Sequence, residues 1–197
     1  SREVLEEART LVEEFLSARG LSLSEEKTRL VRVEEGFDFL GWNVRRYDGH
    51  THIKPAKKNV AAFMRKIRTI IKSAASIRQE HLIWRLNPVI RGWTNYHHNQ
   101  GAKETFRKVD HLIWKCLWQW ACRRHPNKPR RWVKGRYFIR EGTRDWVFRA
   151  GVKDDGGNVT FTRLLNAADV PIRRHCKIRA AANPFDPVWD GYFAARR

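Results

Sequence analysis

The stretch "KKNVAAFMRKIRTIIKS", residues 57–73, sets the fold class of this chain. Its apolar residues recur at intervals of three and four, which predicts an amphipathic helix with one buried stripe. That stripe comprises Val60, Phe63, Met64, Ile67, Ile70 and Ile71. Lys58, Arg65 and Lys72 lie seven residues apart and share the opposite face. No acidic residue between positions 48 and 80 balances them, so we favour contact with phosphate over ordinary solvation.

Helices are also predicted before and after this stretch. Apolar residues repeat at helical spacing over residues 4–16, and Gly20 is predicted to end that helix. Ser76 and Gln79 resemble a capping box, which predicts that a helix opens there and continues to Leu86.

Two more helices follow in the central part of the sequence. Asn87 before Pro88 fits an N-cap and a first helical position, so a separate helix is predicted to begin there. Helical spacing also marks Phe106, Val109, Ile113, Cys116, Leu117 and Trp120. The prolines of "HPNKP", residues 125–129, end this last helix.

Strand signals flank the helical block. Residues 30–33 and 37–47 are predicted as strands, and Asp48-Gly49 is predicted as the hairpin turn that leads into a return strand at residues 50–54. Beyond the block, "NKPRRWVKGR" at residues 127–136 is predicted as a charged loop, followed by short strands. A Gly-rich turn is expected at residues 154–158, and "NPFDPVWDGYF" at residues 183–193 is expected to be a linker entering another element. The fold class predicted is α+β, mainly α.

Net charge is unevenly distributed along the 197 residues, which carry a formal charge of +19. Residues 51–140 hold 22 basic and 3 acidic residues, whereas residues 1–50 hold 8 basic and 11 acidic residues. A basic excess confined to one block predicts a surface that binds a polyanion.

Several other functions are disfavoured. The three cysteines form no CxxC pair, which argues against a zinc site or a disulfide framework and favours a cytoplasmic setting. No apolar run reaches membrane-spanning length. His97 and His98 are adjacent, so on a helix they point about 100° apart and are poorly placed to share a metal ion. We therefore predict no metal ligands and no cofactor in this chain.

Cations interleaved with aromatic residues predict nucleic-acid binding, because phosphates attract cations and unstacked bases stack on flat rings. Trp114, Trp118 and Trp120 are at helical spacing, and core packing is the favoured role for them. In "NPVIRGWTNYHHNQ", residues 87–100, the core face is predicted to hold Val89, Ile90, Trp93 and Tyr96, and the polar face Arg91, Asn95 and His98. His97 falls at the border of the two faces. The predicted RNA-binding residues form three groups: Lys57, Lys58, Arg65, Lys66, Arg68 and Lys72; Arg91, Asn95, His97 and His98; and Arg123, Arg124, Lys128, Arg130, Arg131, Lys134 and Arg136.

Five segments in this order resemble the C-terminal part of a bacterial group II intron-encoded reverse transcriptase, or maturase. They are "LSLSEEKTRLVRVEEGFDFLGWNVRR", "KKNVAAFMRKIRTIIKS", "LNPVIRGWTNYHH", "KVDHLIWKCLWQWACRRHPNK" and "NPFDPVWDGYF". The resemblance covers essentially the whole chain, and RGWxNYH after an Asn-Pro pair is its most specific motif.

The resemblance implies three domains. Residues 1–54 would be the end of the palm, residues 55–131 the helical thumb and maturase domain that binds intron RNA, and residues 132–197 a DNA-binding domain with a linker toward a missing endonuclease. Phe39, Leu40, Gly41 and Trp42 match the motif that grips the primer end. Lys27 matches a palm lysine proposed to assist pyrophosphate departure, and in an isolated chain a solvated turn lysine is favoured instead. The cations expected to contact target DNA are Arg173, Arg174, His175, Lys177 and Arg179.

One departure limits the implied chemistry. The Tyr-x-Asp-Asp motif of the family, expected just upstream of Ser1, does not occur in this sequence. Two-metal polymerisation needs clustered carboxylates, so this chain alone is not expected to polymerise. Mg²⁺ is expected only for the full reverse transcriptase and for the intron RNA. The fingers and palm of that full enzyme would be supplied by the same chain or by a second chain. The resemblance implies splicing of group II introns and retrohoming by target-primed reverse transcription. The alternative is a basic nucleic-acid-binding module without intron specificity.

Overall fold

A computed structural model describes residues 2–153, 156–174 and 177–196. These ranges contain six α-helices and two three-stranded antiparallel sheets, which confirms the α+β, mainly α class. The helices are α1 (Arg2–Ser17), α2 (Lys57–Ser73), α3 (Gln79–His97), α4 (Lys103–Arg124), α5 (Arg130–Tyr137) and α6 (Asp190–Ala194). The strands are β1 (Phe37–Phe39), β2 (Trp42–Tyr47), β3 (His50–Pro55), β4 (Phe138–Glu141), β5 (Arg144–Lys153) and β6 (Val159–Arg163).

The chain forms two compact units, unit 1 at Ser1–Phe63 and unit 2 at Met64–Arg197. Their division falls within α2, which begins in unit 1 and continues into unit 2. The two units are compact parts of the structure and do not test the three functional domains. Those domains stay a prediction. No helix in the described ranges combines the length and the apolar character needed to cross a membrane.

Unit 1 contains α1 and the sheet β1-β2-β3. Gly20 ends α1 as predicted, with a φ of +71° that favours glycine. The hairpin turn at Asp48 and Gly49 is confirmed, because both residues adopt positive φ, at +46° and +76°, as a type I′ turn requires. The predicted apolar face of α1 is not buried within this unit, since Leu11 and Phe15 are 66% and 57% exposed.

Two strand predictions in unit 1 are wrong. Residues 30–33 form no strand, because a turn closes there when the amide of Glu35 donates to the carbonyl of Arg32. Residues 37–47 form two strands instead of one. Leu40 and Gly41 take φ values of +46° and +80°, which reverse the chain and pair β1 with β2.

The core of unit 2 comes from the buried faces of α2, α3 and α4. The predicted helical stripes account for this core, which includes Ile67, Ile71, Leu82, Ile83, Leu86, Ile90, Phe106, Val109, Ile113, Leu117 and Trp120. Trp120 also joins two elements, because its Nε1 donates to the carbonyl of Ala74 at 2.8 Å. Burial of these apolar surfaces is the main stabilising contribution, roughly 1.5–3 kcal/mol for each large side chain.

Both predicted helix starts in this region, at Ser76 and at Asn87-Pro88, are wrong. Arg78, not Ser76, precedes the helix, and no side chain caps it. The Nε2 of Gln79 instead donates to the carbonyl of Tyr137 at 2.8 Å, which holds α3 against the end of α5. Pro88 lies inside the helix instead of starting one. Proline cannot bond the carbonyl of Trp84, but both residues are exposed, so water can satisfy that carbonyl.

Asn87 has a tertiary role in place of the predicted cap. Its Nδ2 donates to the carbonyl of Arg163 at 2.9 Å, and its Oδ1 accepts from the amide of Leu165 at 2.8 Å. The side chain therefore pairs like a short strand with the end of β6 and fixes α3 against the sheet β4-β5-β6. The Asn-Pro pair that suggested a helix start marks this junction instead.

The region after α4 is more regular than predicted. Residues 130–137 form α5 and not a loop, and its apolar residues Val133 and Tyr137 are buried. The predicted short strands are present as β4, β5 and β6, paired in that order. Of the predicted Gly-rich turn, Asp154 and Asp155 lie outside the described residues, while Gly157 has a φ of +80°. The segment 183–193 was expected to be a linker, but it contains a 3-10 turn at Pro187–Trp189 and the start of α6 at Asp190.

Candidate nucleic-acid interface

The first group of predicted RNA-binding cations lies on α2. Within unit 2, the four cations of this helix, Arg65, Lys66, Arg68 and Lys72, are all exposed, opposite the buried Ile67 and Ile71. No acidic side chain in the described residues pairs with any of these cations. Their charges are therefore available to an external anion. Lys57 and Lys58, in the first turn of α2 within unit 1, are also exposed.

The second group, on α3, is divided between surface and core. Arg91 and Asn95 are exposed and one turn apart, as the helical spacing predicts. Tyr96, predicted to face the core, is instead 49% exposed. His98 is half-buried at the end of α3, where its carbonyl accepts the amide of Arg173 at 2.9 Å. Arg91 and Asn95 are thus the members of this group best placed to meet RNA.

His97 is a correction to the predicted interface. Its side chain is 0% exposed and packs against the rings of Trp93 and Tyr96 at centroid distances of 4.7 and 4.8 Å. Removal from water disfavours the charged imidazolium and lowers the pKa of His97 to about 4. A neutral, buried ring cannot contact phosphate, so His97 is a packing residue.

Asp110 on α4 has its pKa shifted in the opposite direction. Burial raises the pKa of its carboxyl to about 6, although the amides of Ala168 and Ala167 donate to its oxygens at 2.8 and 2.7 Å and lower the pKa in part. These bonds hold a 3-10 turn, Ala167–Asp169, against α4. Lys103 strengthens the same junction by donating to the carbonyls of Ala168 and Val170.

The two shifted groups predict opposite pH dependences of stability. Between pH 4 and 6.5 the unfolded chain binds more protons at His97 than the folded chain does. The contribution of His97 to the free energy of unfolding therefore falls as the pH is lowered through that window. Between pH 3.8 and 6 the folded chain binds more protons at Asp110 than the unfolded chain does. The contribution of Asp110 to the free energy of unfolding therefore falls as the pH rises through that window. In Asp110→Asn only the first trend remains, with a slope of at most roughly 1.4 kcal/mol per pH unit.

Urea unfolding at several pH values from 4 to 7 measures these trends. His97→Gln serves as the complementary variant, because it removes the histidine contribution and retains that of Asp110. The free energy of unfolding of His97→Gln itself should therefore fall as pH rises from 3.8 to 6. Parallel pH profiles for wild type and both variants would contradict the assignment.

The third group, at the end of α4 and on α5, contains both free and engaged cations. Arg123, Arg130 and Arg131 are exposed and carry no salt bridge to a described residue. Lys128 lies 5.6 Å from the ring centroid of Trp132, and Arg136 lies 5.9 Å from that of Tyr137. These cations remain at the surface.

Two members of the third group are engaged within unit 2. Arg124 donates to the carbonyls of Ala75 and Ile77 at 2.5 and 3.1 Å, and to the hydroxyl of Tyr137 at 3.3 Å. Lys134 forms a salt bridge with Asp145 at 2.6 Å. The guanidinium of Arg124 thus joins the end of α4 to the segment after α2, so its principal role is structural.

The tryptophans of α4 follow the predicted core role to different extents. Trp120 is 3% exposed, whereas Trp114 and Trp118 are half-buried. Both half-buried rings pack edge to face on Trp146, at centroid distances of 5.4 and 5.2 Å. The more exposed tryptophans are elsewhere: Trp132 is 40% exposed among the cations of α5, and Trp84 is 49% exposed on α3.

The remaining predicted residues lie outside these groups. In unit 1, the hairpin Phe39–Trp42 carries exposed Phe39 and Leu40 beside half-buried Gly41 and Trp42, and Lys27 is exposed in a turn. In unit 2, the cations predicted to contact DNA, Arg173, Arg174, Lys177 and Arg179, are exposed. His175 lies outside the described residues.

The sequence analysis missed a row of exposed residues on α4. Arg107, His111 and Lys115 are four residues apart, and all three are exposed on one face of the helix. Lys108 is exposed beside them. The four-residue spacing of this row is visible in the sequence, but α4 was predicted from its apolar residues alone.

Most of the cations of α2, and those of α3, α4 and α5, fall within one segment. Residues 60–138 match the family model of the group II intron, maturase-specific domain. The match supports a protein of the group II intron maturase type. It spans most of α2 and the whole of α3, α4 and α5, and it agrees with the resemblance that the motifs in the sequence indicated. A search of curated proteins returned no match.

The maturase-type segment contains most of the basic excess. It holds 18 basic and 3 acidic residues. Of the three acidic residues, Asp110 is bonded to backbone amides and Glu80 lies 3.9 Å from Arg78. A maturase-type domain implies binding to group II intron RNA.

Proposed function

We propose that this chain binds group II intron RNA and promotes its splicing, and that its contribution is electrostatic and geometric instead of covalent. The observation that carries the proposal is the match of residues 60–138 to the maturase-specific domain, within a segment whose exposed cations have few acidic partners. Each phosphate that such a cation neutralises releases condensed counterions and favours binding.

The mechanism requires discrimination between RNA folds. Binding stabilises the splicing-competent fold of the intron only if the protein binds that fold more tightly than misfolded ones. The helices of unit 2 form a packed core, so their cations are held in a fixed spatial pattern that one RNA fold can match better than another. The intron RNA and its Mg²⁺ ions would then perform the cleavage and joining.

In a longer bacterial protein, this chain would act beside a reverse transcriptase palm and fingers. We propose that residues 1–54 complete such a palm, with Phe39–Trp42 near the primer end, and that residues 132–197 contact target DNA through Arg173, Arg174, Lys177 and Arg179. This arrangement would support retrohoming by target-primed reverse transcription in the cytoplasm.

A splicing assay at reduced Mg²⁺ concentration tests the proposal. A panel of group II intron precursor RNAs is incubated with and without residues 1–197, and the rate of splicing is measured. We expect at least one intron to splice about ten times faster with the protein, equivalent to about 1.4 kcal/mol of preferential stabilisation. Unchanged rates across the panel would remove the maturase proposal.

Competition binding separates this function from the alternative, a basic nucleic-acid-binding module without intron specificity. Labelled intron RNA is displaced by unlabelled intron or by random-sequence RNA of equal length at about 0.15 M salt. The maturase proposal requires the intron to compete better. Equal competition would favour the nonspecific module.

A further inference from the structure

Unit 2 contains a cavity of about 700 Å³, and none of the predicted RNA-binding residues lines it. Its walls are formed by α4, by β4 and β5, and by residues 163–169. Four large aromatic residues line these walls, Trp114 from α4, Phe138 from β4, and Trp146 and Phe148 from β5. This volume lies within the range of about 300–1,000 Å³ that is usual for small-ligand sites. We refer to it as the aromatic pocket.

The rings of the aromatic pocket are held in place by one another. Trp146 meets Trp114 edge to face at 5.4 Å and 90°, and His111 stacks on Trp114 at 5.7 Å and 20°. Trp146 also has a φ of +63°, a conformation that is uncommon for a residue with a large side chain and costs about 1–3 kcal/mol. The fold thus holds a strained tryptophan against the pocket, as binding sites often do.

The carboxylates that line the aromatic pocket do not oppose an anionic ligand strongly. Asp169 is paired with Arg144, and Asp145 accepts from Lys134 at 2.6 Å. Asp110 accepts two backbone amides. The Nε1 of Trp114, in contrast, is buried and lacks a hydrogen-bond partner in the described ranges, so an acceptor atom that reached it would relieve the cost of an unsatisfied donor.

Exposed cations lie close to the pocket. His111 lines the pocket and is also the middle residue of the exposed row Arg107, His111 and Lys115 on α4. Arg163 also lines the pocket, is exposed and lies 3.3 Å from Glu141. A ligand whose ring enters the pocket would therefore keep a phosphate near Arg107 or Lys115.

We propose that the aromatic pocket receives one unstacked base of the bound RNA, with the adjoining phosphates lying along Arg107 and Lys115. The proposal rests on the RNA-binding function proposed above and assigns a specific subsite to it. Flat rings, one buried polar donor and an adjacent cationic row match the three parts of a nucleotide: the base faces, the base edge and the phosphate. Unpaired bases can reach such a pocket, whereas paired bases in an A-form stem cannot.

Two RNA hairpins with the same stem test the pocket. One carries a single bulged 2-aminopurine and the other is fully paired. We expect residues 1–197 to bind the bulged hairpin about ten times more tightly, because stacking of one base on aromatic side chains contributes this order of affinity. The fluorescence of 2-aminopurine should also be quenched on binding, since its ring would lie against tryptophan.

Two pocket variants and one matched control locate the effect. His111→Ala removes an exposed ring from the pocket wall, and Leu165→Phe fills part of the cavity. His81→Ala is the control, because His81 is also exposed beside a tryptophan, 5.2 Å from Trp84, but does not line the pocket. Both pocket variants should reduce the preference for the bulged hairpin over the paired one to about one, while the control keeps the preference.

The outcomes distinguish the pocket from the RNA-binding function. Circular dichroism and urea unfolding verify that each variant folds, and the surface change His111→Ala decides the test if Leu165→Phe does not fold. Tight binding of both hairpins without preference, or a preference that His111→Ala and His81→Ala affect equally, would overturn the pocket proposal and leave RNA binding intact. Failure to bind either hairpin would instead count against the proposed function.

Discussion

Replacing Arg65, Arg68 and Lys72 together by Gln is expected to weaken RNA binding by roughly 10- to 100-fold at about 0.15 M salt. The three side chains are exposed on α2 within unit 2 and have no acidic partner among the described residues. Each phosphate contact contributes a slope of roughly 0.7–0.9 to the dependence of log affinity on log salt concentration. Filter binding or fluorescence anisotropy between about 50 and 300 mM salt should therefore give a slope shallower by about two or three in the variant.

A control with the same change in net charge separates local contact from the overall field. Arg2, Arg9 and Arg19 of unit 1, replaced together by Gln, also lower the net charge by three. Two of these cations already pair with glutamates on α1, Arg2 with Glu6 and Arg9 with Glu13. The control should retain most of the affinity and nearly the wild-type salt slope. Equal losses in the two triple variants would exclude the α2 surface as a contact site.

Arg124→Ala is expected to lower the free energy of unfolding by about 2–4 kcal/mol. The change removes three hydrogen bonds, to the carbonyls of Ala75 and Ile77 and to the hydroxyl of Tyr137, and it leaves the carbonyls after α2 without their charged donor. Loss of the guanidinium over the ring of Trp120, 4.7 Å from its centroid, adds to the effect. Urea unfolding at neutral pH measures the difference.

The neighbouring residue supplies the control for this prediction. Arg123 is exposed and forms none of these bonds, so Arg123→Ala should change the free energy of unfolding by less than about 0.5 kcal/mol and should lower RNA affinity instead. Arg124→Ala, measured at a temperature where it is folded, should bind RNA nearly as well as wild type. If Arg123→Ala destabilises the protein as much as Arg124→Ala, the structural role assigned to Arg124 is wrong.

Helices with strong periodicity were predictable because their buried positions are set by local spacing. Ile67 and Ile71 on α2, and Phe106 and Leu117 on α4, are buried as the repeat of three and four requires. The turn at Asp48 and Gly49 was predictable for a similar reason, since those two residue types tolerate positive φ. The resemblance of the RGWxNYH motif likewise agrees with the match of residues 60–138.

Predictions based on a short motif were wrong where a distant partner competed for the side chain. Asn87 bonds to residues 163 and 165 instead of capping a helix, and Gln79 bonds to Tyr137 instead of completing a capping box. His97 could not be assigned to a face because the border of a helical stripe is decided by what packs against it. Trp93 and Tyr96 enclose the ring of His97 and exclude it from the predicted interface.

The mainly helical class, the buried stripes of α2 and α4, and the concentration of basic charge between residues 51 and 140 follow from the order of residues alone. These properties depend on the spacing of neighbouring residues and on composition, both of which can be read along the chain. Which cations are free depends on folding, because Arg124 finds its acceptors 47 and 49 residues away. Folding likewise formed the aromatic pocket, because Trp114 and Trp146 come together through the packing of α4 against β5 and not through any spacing within the chain.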